Sequence, residues 1–215
     1  MPNCCGPDMN VTKETDMSPS PATGFKARLG RLGKRQRLAF MAALCERLLP
    51  NYMLYAQMTG QGDPHGLRVV LDLVWESLLV REARIDFARQ AEKLAELEPP
   101  ADDDSFGARR AVESVVALSA LLDALQGDAE EAPQEVSQVS RNGVQAFIEM
   151  TEGSDEDDAD RNAERIRQHP LMDDEFDFQL AVLEQVEDEL GREALKSLRR
   201  FGRNGGVSNL GLSLD

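Results

Sequence analysis

The chain has 215 residues, of which 41% are hydrophobic and only 5% aromatic, and it carries a formal net charge of −15. That length suits one ordinary domain with a continuous core, and the apolar share is too high for a chain disordered throughout. The acidic balance disfavours non-specific contact with nucleic acid or anionic lipid, and no run of about 18 apolar residues exists to cross a membrane.

The opening Met1-Pro2-Asn3-Cys4-Cys5 lacks a basic segment followed by an apolar one, so a cytoplasmic protein is expected. Residues 1–24 hold four prolines and few hydrophobic side chains, which predicts a disordered tail ahead of a single helical domain over 25–215. Helical periodicity then sets in with Leu29, Leu32, Leu38, Phe40, Met41, Leu44, Leu48 and Leu49. Pro50 should end that helix, leaving Tyr52, Tyr55 and Met58 to a second, short one. Asp63-Pro64 reads as a cap and first turn for a helix reaching about Val80, and Asp86 caps a short helix that stops before Pro99-Pro100. After an acidic loop at 102–105, the stretch Phe106 to Leu125 is apolar around most of its circumference and should be central.

Val136, Val139, Val144, Phe147 and Ile148 mark another helix, with Ser140 and Gly143 suited to close packing. Glu152 to Asp160 is an acidic loop before a polar helix near Arg161 to Gln168. Pro170 opens a long helix with Met172, Phe176, Leu180, Leu183 and Leu190 as its apolar stripe and Gly191 as its stop. A last helix carries Ala194, Leu195, Leu198 and Phe201 among basic residues. These elements predict an all-α protein, a compact irregular or orthogonal bundle of about seven to nine helices.

Familiar chemistry is missing. Gly33-Lys34 lacks the remaining residues of a phosphate-cradling loop, and the positions three before His65 and His169 are Gly62 and Ile166, which rules out the Glu-x-x-His pair of a di-iron bundle. Cys4 and Cys5 have no partner ligands nearby, and Cys45 lies in an apolar run, so no metal, cofactor or disulfide is expected. The basic cluster Lys26, Arg28, Arg31, Lys34, Arg35 and Arg37 fits pairing with the protein's own acidic helices better than nucleic acid or lipid.

The informative feature is a polar seam on apolar helices. Arg68, Asp72 and Glu76 recur every four residues within an otherwise apolar segment, and Glu46 and Arg47 precede Pro50. Arg47 should be buried by its neighbours and paired with one or more of Glu46, Asp72 and Glu76.

The segments CERLLPNY at 45–52, TGQGD at 59–63, LDLVWESL at 71–78 and SNLGL at 208–212 together resemble the YjaG-like family of uncharacterised bacterial proteins. The resemblance spans about residue 25 to the C-terminus. It implies a compact helical domain in a cytosolic proteobacterial setting and transfers no catalytic residue. The leading functional expectation is a non-enzymatic, acidic interaction or adaptor protein with an unidentified protein partner, a basic one among the options, and with a homo-oligomer left open. The alternative is a small-molecule or metal-dependent enzyme using Glu46, Asp72 and Glu76 in an internal pocket. A third is a nucleic-acid-associated protein acting through residues 26–37, which the net charge disfavours.

Overall fold

The computed structural model describes residues 21–80, 82–127, 130–153 and 158–214. Most of the expected tail, residues 1–20, lies outside the described residues, as do residues 154–157 of the acidic loop. The described chain is all-α: α1 (Pro21–Arg31), α2 (Lys34–Thr59), α3 (Pro64–Leu79), α4 (Phe87–Ala95), α5 (Phe106–Gln126), α6 (Ala132–Glu152), α7 (Ala159–Arg167), α8 (Pro170–Glu187) and α9 (Arg192–Arg203). No strand occurs among the described residues, and no described helix is long and apolar enough to cross a membrane.

The bundle is organised around α2. Every residue from Leu38 to Tyr52 is buried, and α3, α5, α6, α8 and α9 all pack against this one helix, α5 most extensively. The expectation that α5 would be the central helix is therefore only half right. Two boundaries of α2 also differ from expectation. The apolar periodicity from Leu29 is cut at Leu32-Gly33, where the Arg37 Nε donates to the Leu32 carbonyl and the Gln36 side chain accepts from the Gly33 N–H. Both contacts satisfy groups that a helix end leaves open.

Pro50, in contrast, does not end the helix. Proline removes one helical hydrogen bond and costs about 3 kcal/mol in a helix interior. Fully burying one large apolar side chain returns roughly 1.5–3 kcal/mol. Leu48, Leu49, Tyr52 and Tyr55 are all buried around Pro50, so packing outweighs local propensity and the residues expected in a second helix continue the first.

Local capping explains most other boundaries. The Asp63 carboxylate accepts from the Gly66 N–H at 2.9 Å, the Asp86 carboxylate from Arg89 at 3.0 Å and the Ser105 hydroxyl from Ala108 at 3.2 Å. Gly62 has φ +82°, and a Cβ there would come within 2.7 Å of the Tyr52 hydroxyl. That hydroxyl accepts from the Asp63 N–H and donates to the Leu97 carbonyl, which ties the α2–α3 turn to the end of α4. At the other end of the chain, α8 stops at Glu187 rather than near Leu190. Its Glu187 carbonyl accepts from Gln36 while the Glu187 carboxylate takes both ends of the Arg28 fork, and Gly191 serves as the N-cap of α9. The basic cluster is engaged within the protein, but only in part as expected: Arg28 pairs with an acid of α8, Arg37 pairs with Glu130 ahead of α6, and Lys34 and Arg35 donate instead to the backbone carbonyls of Gly127 and Leu78.

The packing of α9 on α2 brings Gly202 against the α2 backbone. A Cβ on Gly202 would sit 2.8 Å from the Ala43 carbonyl oxygen and 3.0 Å from the Ala43 Cα, both backbone atoms that cannot swing aside. Gly202→Ala should therefore lower stability by about 1–3 kcal/mol in urea denaturation, despite alanine's better helix propensity. A variant as stable as the parent would show that this approach is not a tight constraint.

Candidate functional site

Glu46 and Arg47 are neighbours on α2 and so leave the helix about 100° apart, toward different partners. Glu46 points to α3 and α9. Its side chain is fully covered, and its two oxygens accept from Arg68 at 2.7 Å, Arg199 at 3.3 Å and Arg203 at 3.4 Å. Arg199 also pairs with Asp72, which Arg68 approaches at 3.6 Å, and the Arg199 guanidinium lies 5.9 Å from the Trp75 ring centre. The structure thus brings Glu46, Arg68 and Asp72 together as one cluster. It adds Arg199 and Arg203, which the sequence marked only as basic residues near a helix end. Glu76 does not join: it is exposed and forms no ion pair among the described residues.

Arg47 is buried as expected, but its expected partners are wrong. It reaches Glu175 on α8 at 3.0 Å, and its guanidinium stacks 4.1 Å over the Phe178 ring. Glu46, Asp72 and Glu76 lie on other faces because α2 directs the two adjacent side chains apart. Glu175 is completely buried; its second oxygen accepts from Ser140 at 2.6 Å and Gln179 at 2.7 Å. Burial pushes the Glu175 carboxyl up, while Arg47, Ser140 and Gln179 hold it down. The network continues through Asn209, which donates to the Ser140 carbonyl and accepts from Asn51 of α2.

Sequence reasoning missed Glu175 and Gln179 because the stripe on α8 is rotated. The buried positions are Glu175, Phe178, Gln179, Val182, Leu183 and Val186, whereas Met172, Phe176 and Leu180 are only half-buried. Polar residues at the same three- and four-residue spacing as Val182 and Val186 were the available signal.

A second polar pair sits beside this network. Arg110 on α5 holds Glu113 at 2.7 Å and donates to the Gly143 carbonyl at 3.2 Å. Burial pushes the Glu113 carboxyl up to about 7, against the pull of Arg110. Cys45 is fully enclosed, and burial raises its thiol well above the usual range, which leaves it an inert core residue.

The Glu46 cluster opens on a cleft of about 530 Å³. Its walls are Glu46, Pro50 and Met53 of α2, Arg68 of α3, Arg200 and Arg203 of α9, and Gly205, Gly206 and Leu214 of the C-terminal segment. That segment is held in place by buried Ser208, Asn209 and Leu210, so it packs rather than floats. Among the described residues, no group of three or more His, Cys, Asp or Glu side chains is arranged to hold a metal ion.

Residues 24–213 match the family described as "Protein of unknown function (DUF416)". The chain is 39% identical to "Uncharacterized protein YjaG" of Escherichia coli strain K12 over 189 residues, covering 86% of this chain and 94% of that one. It is 33% identical to an uncharacterised Haemophilus influenzae protein with the same coverage. A crystal structure of a DUF416 family protein from Shewanella baltica OS155 superposes with a TM-score of 0.81 at 35% identity, covering 88% of this chain and 98% of the other. The four segments that carry the family resemblance meet around α2: Tyr52 with Gly62 and Asp63, Glu46 with Asp72 through Arg199, and Asn51 with Asn209.

Removing one partner of a buried ion pair typically costs about 3–5 kcal/mol. Arg47→Ala should lose about that much in urea denaturation, and Arg47→Met combined with Glu175→Leu should recover part of it. A cost below about 1 kcal/mol would place the pair among weak surface contacts.

Glu113 gives a separate pH signature. Because its folded pKa lies above the ordinary value of 4.5, its contribution to stability is complete below about 4.5 and lost as pH rises through about 7. Glu175 has the same sign. Stability measured from pH 4.5 to 8 should fall less steeply in Glu113→Gln than in the parent; identical slopes would refute this assignment.

Proposed function

The chain belongs to the DUF416 family of proteins of unknown function, and from its geometry we propose that it is a non-enzymatic binding protein that takes an anionic group into the arginine-lined cleft. The observation that carries this reading is a local reversal of charge. In a chain of net charge −15, Arg68, Arg200 and Arg203 line the cleft, and Arg68 and Arg203 converge there on the single carboxylate of Glu46. Arginine forks suit carboxylate and phosphate oxygens. Arg200 is exposed at the cleft and has no ion pair among the described residues, so it is the cation least committed to the protein itself.

The same geometry weakens the enzyme alternative. Three guanidiniums occupy both Glu46 oxygens, which ties up the carboxylate as a base and surrounds it with charge that repels a metal cation. The reading also favours an acidic determinant over the basic partner suggested by net charge alone. It assumes a reducing cytosolic setting, in keeping with the acidic composition and the buried free thiol.

A thermal-shift comparison tests it. Pyrophosphate should raise the melting temperature above that in sodium chloride of equal ionic strength. Arg200→Glu should weaken the pyrophosphate effect roughly tenfold while leaving the unliganded melting temperature in place. No difference between the two salts, or an unchanged response in Arg200→Glu, would overturn the proposal.

A further inference from the structure

The arginine cleft is built from two chemically different ends. Glu46, Pro50 and Met53 occupy positions i, i+4 and i+7 of α2, one stripe about 10 Å long. The Glu46 end is crowded by Arg68 and Arg203. Beyond it, half-buried Met53 presents hydrocarbon next to the buried Pro50, and half-buried Leu214 of the C-terminal segment lines the same space. The volume of about 530 Å³ falls within the roughly 300–1,000 Å³ of small-molecule sites. A surface that met an acidic protein segment by charge alone would need neither that volume nor the apolar stretch.

Resting on the arginine-cleft reading, we infer that the ligand is a small amphiphilic anion: an oxyanion head, carboxylate or phosphate, on a short apolar chain or ring. The head pairs with Arg200 and Arg203. The body lies along Met53 and Leu214, where it displaces water from hydrocarbon. Glu46 acts as a positioning residue, since its buried carboxylate holds Arg68 and Arg203 at the head-group end. The length of the stripe limits the body to about 10 Å, so affinity should rise with chain length and then level off.

Calorimetric titration of the full chain with acetate, butyrate, hexanoate and octanoate tests this, with pyrophosphate, butyl phosphate and polyglutamate as comparison probes. Each methylene buried should tighten binding about fourfold, the equivalent of ~0.8 kcal/mol. Arg200→Glu should weaken every chain length and butyl phosphate together. Met53→Gln should flatten the dependence on chain length, which separates this cleft from any other apolar pocket. If pyrophosphate or polyglutamate binds through Arg200 while the carboxylates show no chain-length dependence, the amphiphile inference falls and the arginine-cleft reading stands. If the chain-length dependence survives unchanged in Met53→Gln, the inference also falls. If none of the anions binds, both fall. A stronger series for butyl phosphate than for butyrate would identify the head as phosphate within the same proposal.

Discussion

A helix enclosed on all sides cannot hide its polar side chains on a solvent face, and α2 carries Glu46, Arg47 and Asn51 inside its enclosed stretch. Each must be met by a group from elsewhere, because a buried charge or amide without a partner costs several kcal/mol. The three side chains point in different directions, so four different elements converge on α2 to meet them: α3 and α9 at Glu46, α8 at Arg47, and the C-terminal segment at Asn51. Apolar packing alone would tolerate α8 or α9 sliding by a turn along α2. The polar contacts do not, since a one-turn slip of about 5 Å would break each of them at once. This is the role in register for which buried polar groups are best attested, and here it acts on the position of whole helices.

This constraint also explains which parts of the structure were legible in the sequence. Helix starts at Asp63-Pro64, Asp86 and Ser105 depend on bonds within three residues, and their residue types announce them. The passage of α2 through Pro50 depends on packing by helices far away in the chain, so local rules give the wrong answer there. Gly191 shows a related ambiguity: a glycine between two helical segments fits the end of the first or the start of the second, and only the tertiary contacts of Glu187 decide. The burial of Arg47 followed from its apolar neighbours. Its partner did not, because Glu175 is 128 residues away and belongs to a stripe whose phase differs from the most hydrophobic one. Asn209 was equally invisible as a core residue, since a Gly-rich terminus carries no periodicity.

The two halves of the polar seam differ in what they can do. Around Glu175 the carboxylate oxygens are taken by Arg47, Ser140 and Gln179, and the pair with Arg47 is shut away from solvent. Such a site can hold helices in place, but it has no room for a ligand. Around Glu46 the carboxylate is equally buried, yet the guanidiniums it holds extend outward, with the side chains of Arg68 and Arg203 26% and 48% exposed. The same physical need, partnering a charge on an enclosed helix, therefore produces a closed structural network on one side of α2 and a fixed, accessible array of cations on the other.

That array remains positive despite the acidity of the chain because charge acts locally in salt solution. At physiological ionic strength the screening length is about 8 Å, so carboxylates on distant helices contribute little inside the cleft. The exposed acids of α8, Asp173, Asp174, Asp177 and Glu184, lie on the face opposite to the one that meets α2 and act mainly on the solvent there. Among the described residues that line the cleft, the balance is set by Glu46 against Arg68, Arg200 and Arg203, and the low polarizability of the surrounding core strengthens each contact relative to bulk water. On the proposed reading, an anion approaching from solution would be repelled weakly by the protein as a whole and attracted over the last few ångströms. Recognition of that kind would select for ligands that fit the cleft closely, because only close approach brings the arginines into range while the surface charge discourages loosely held anions.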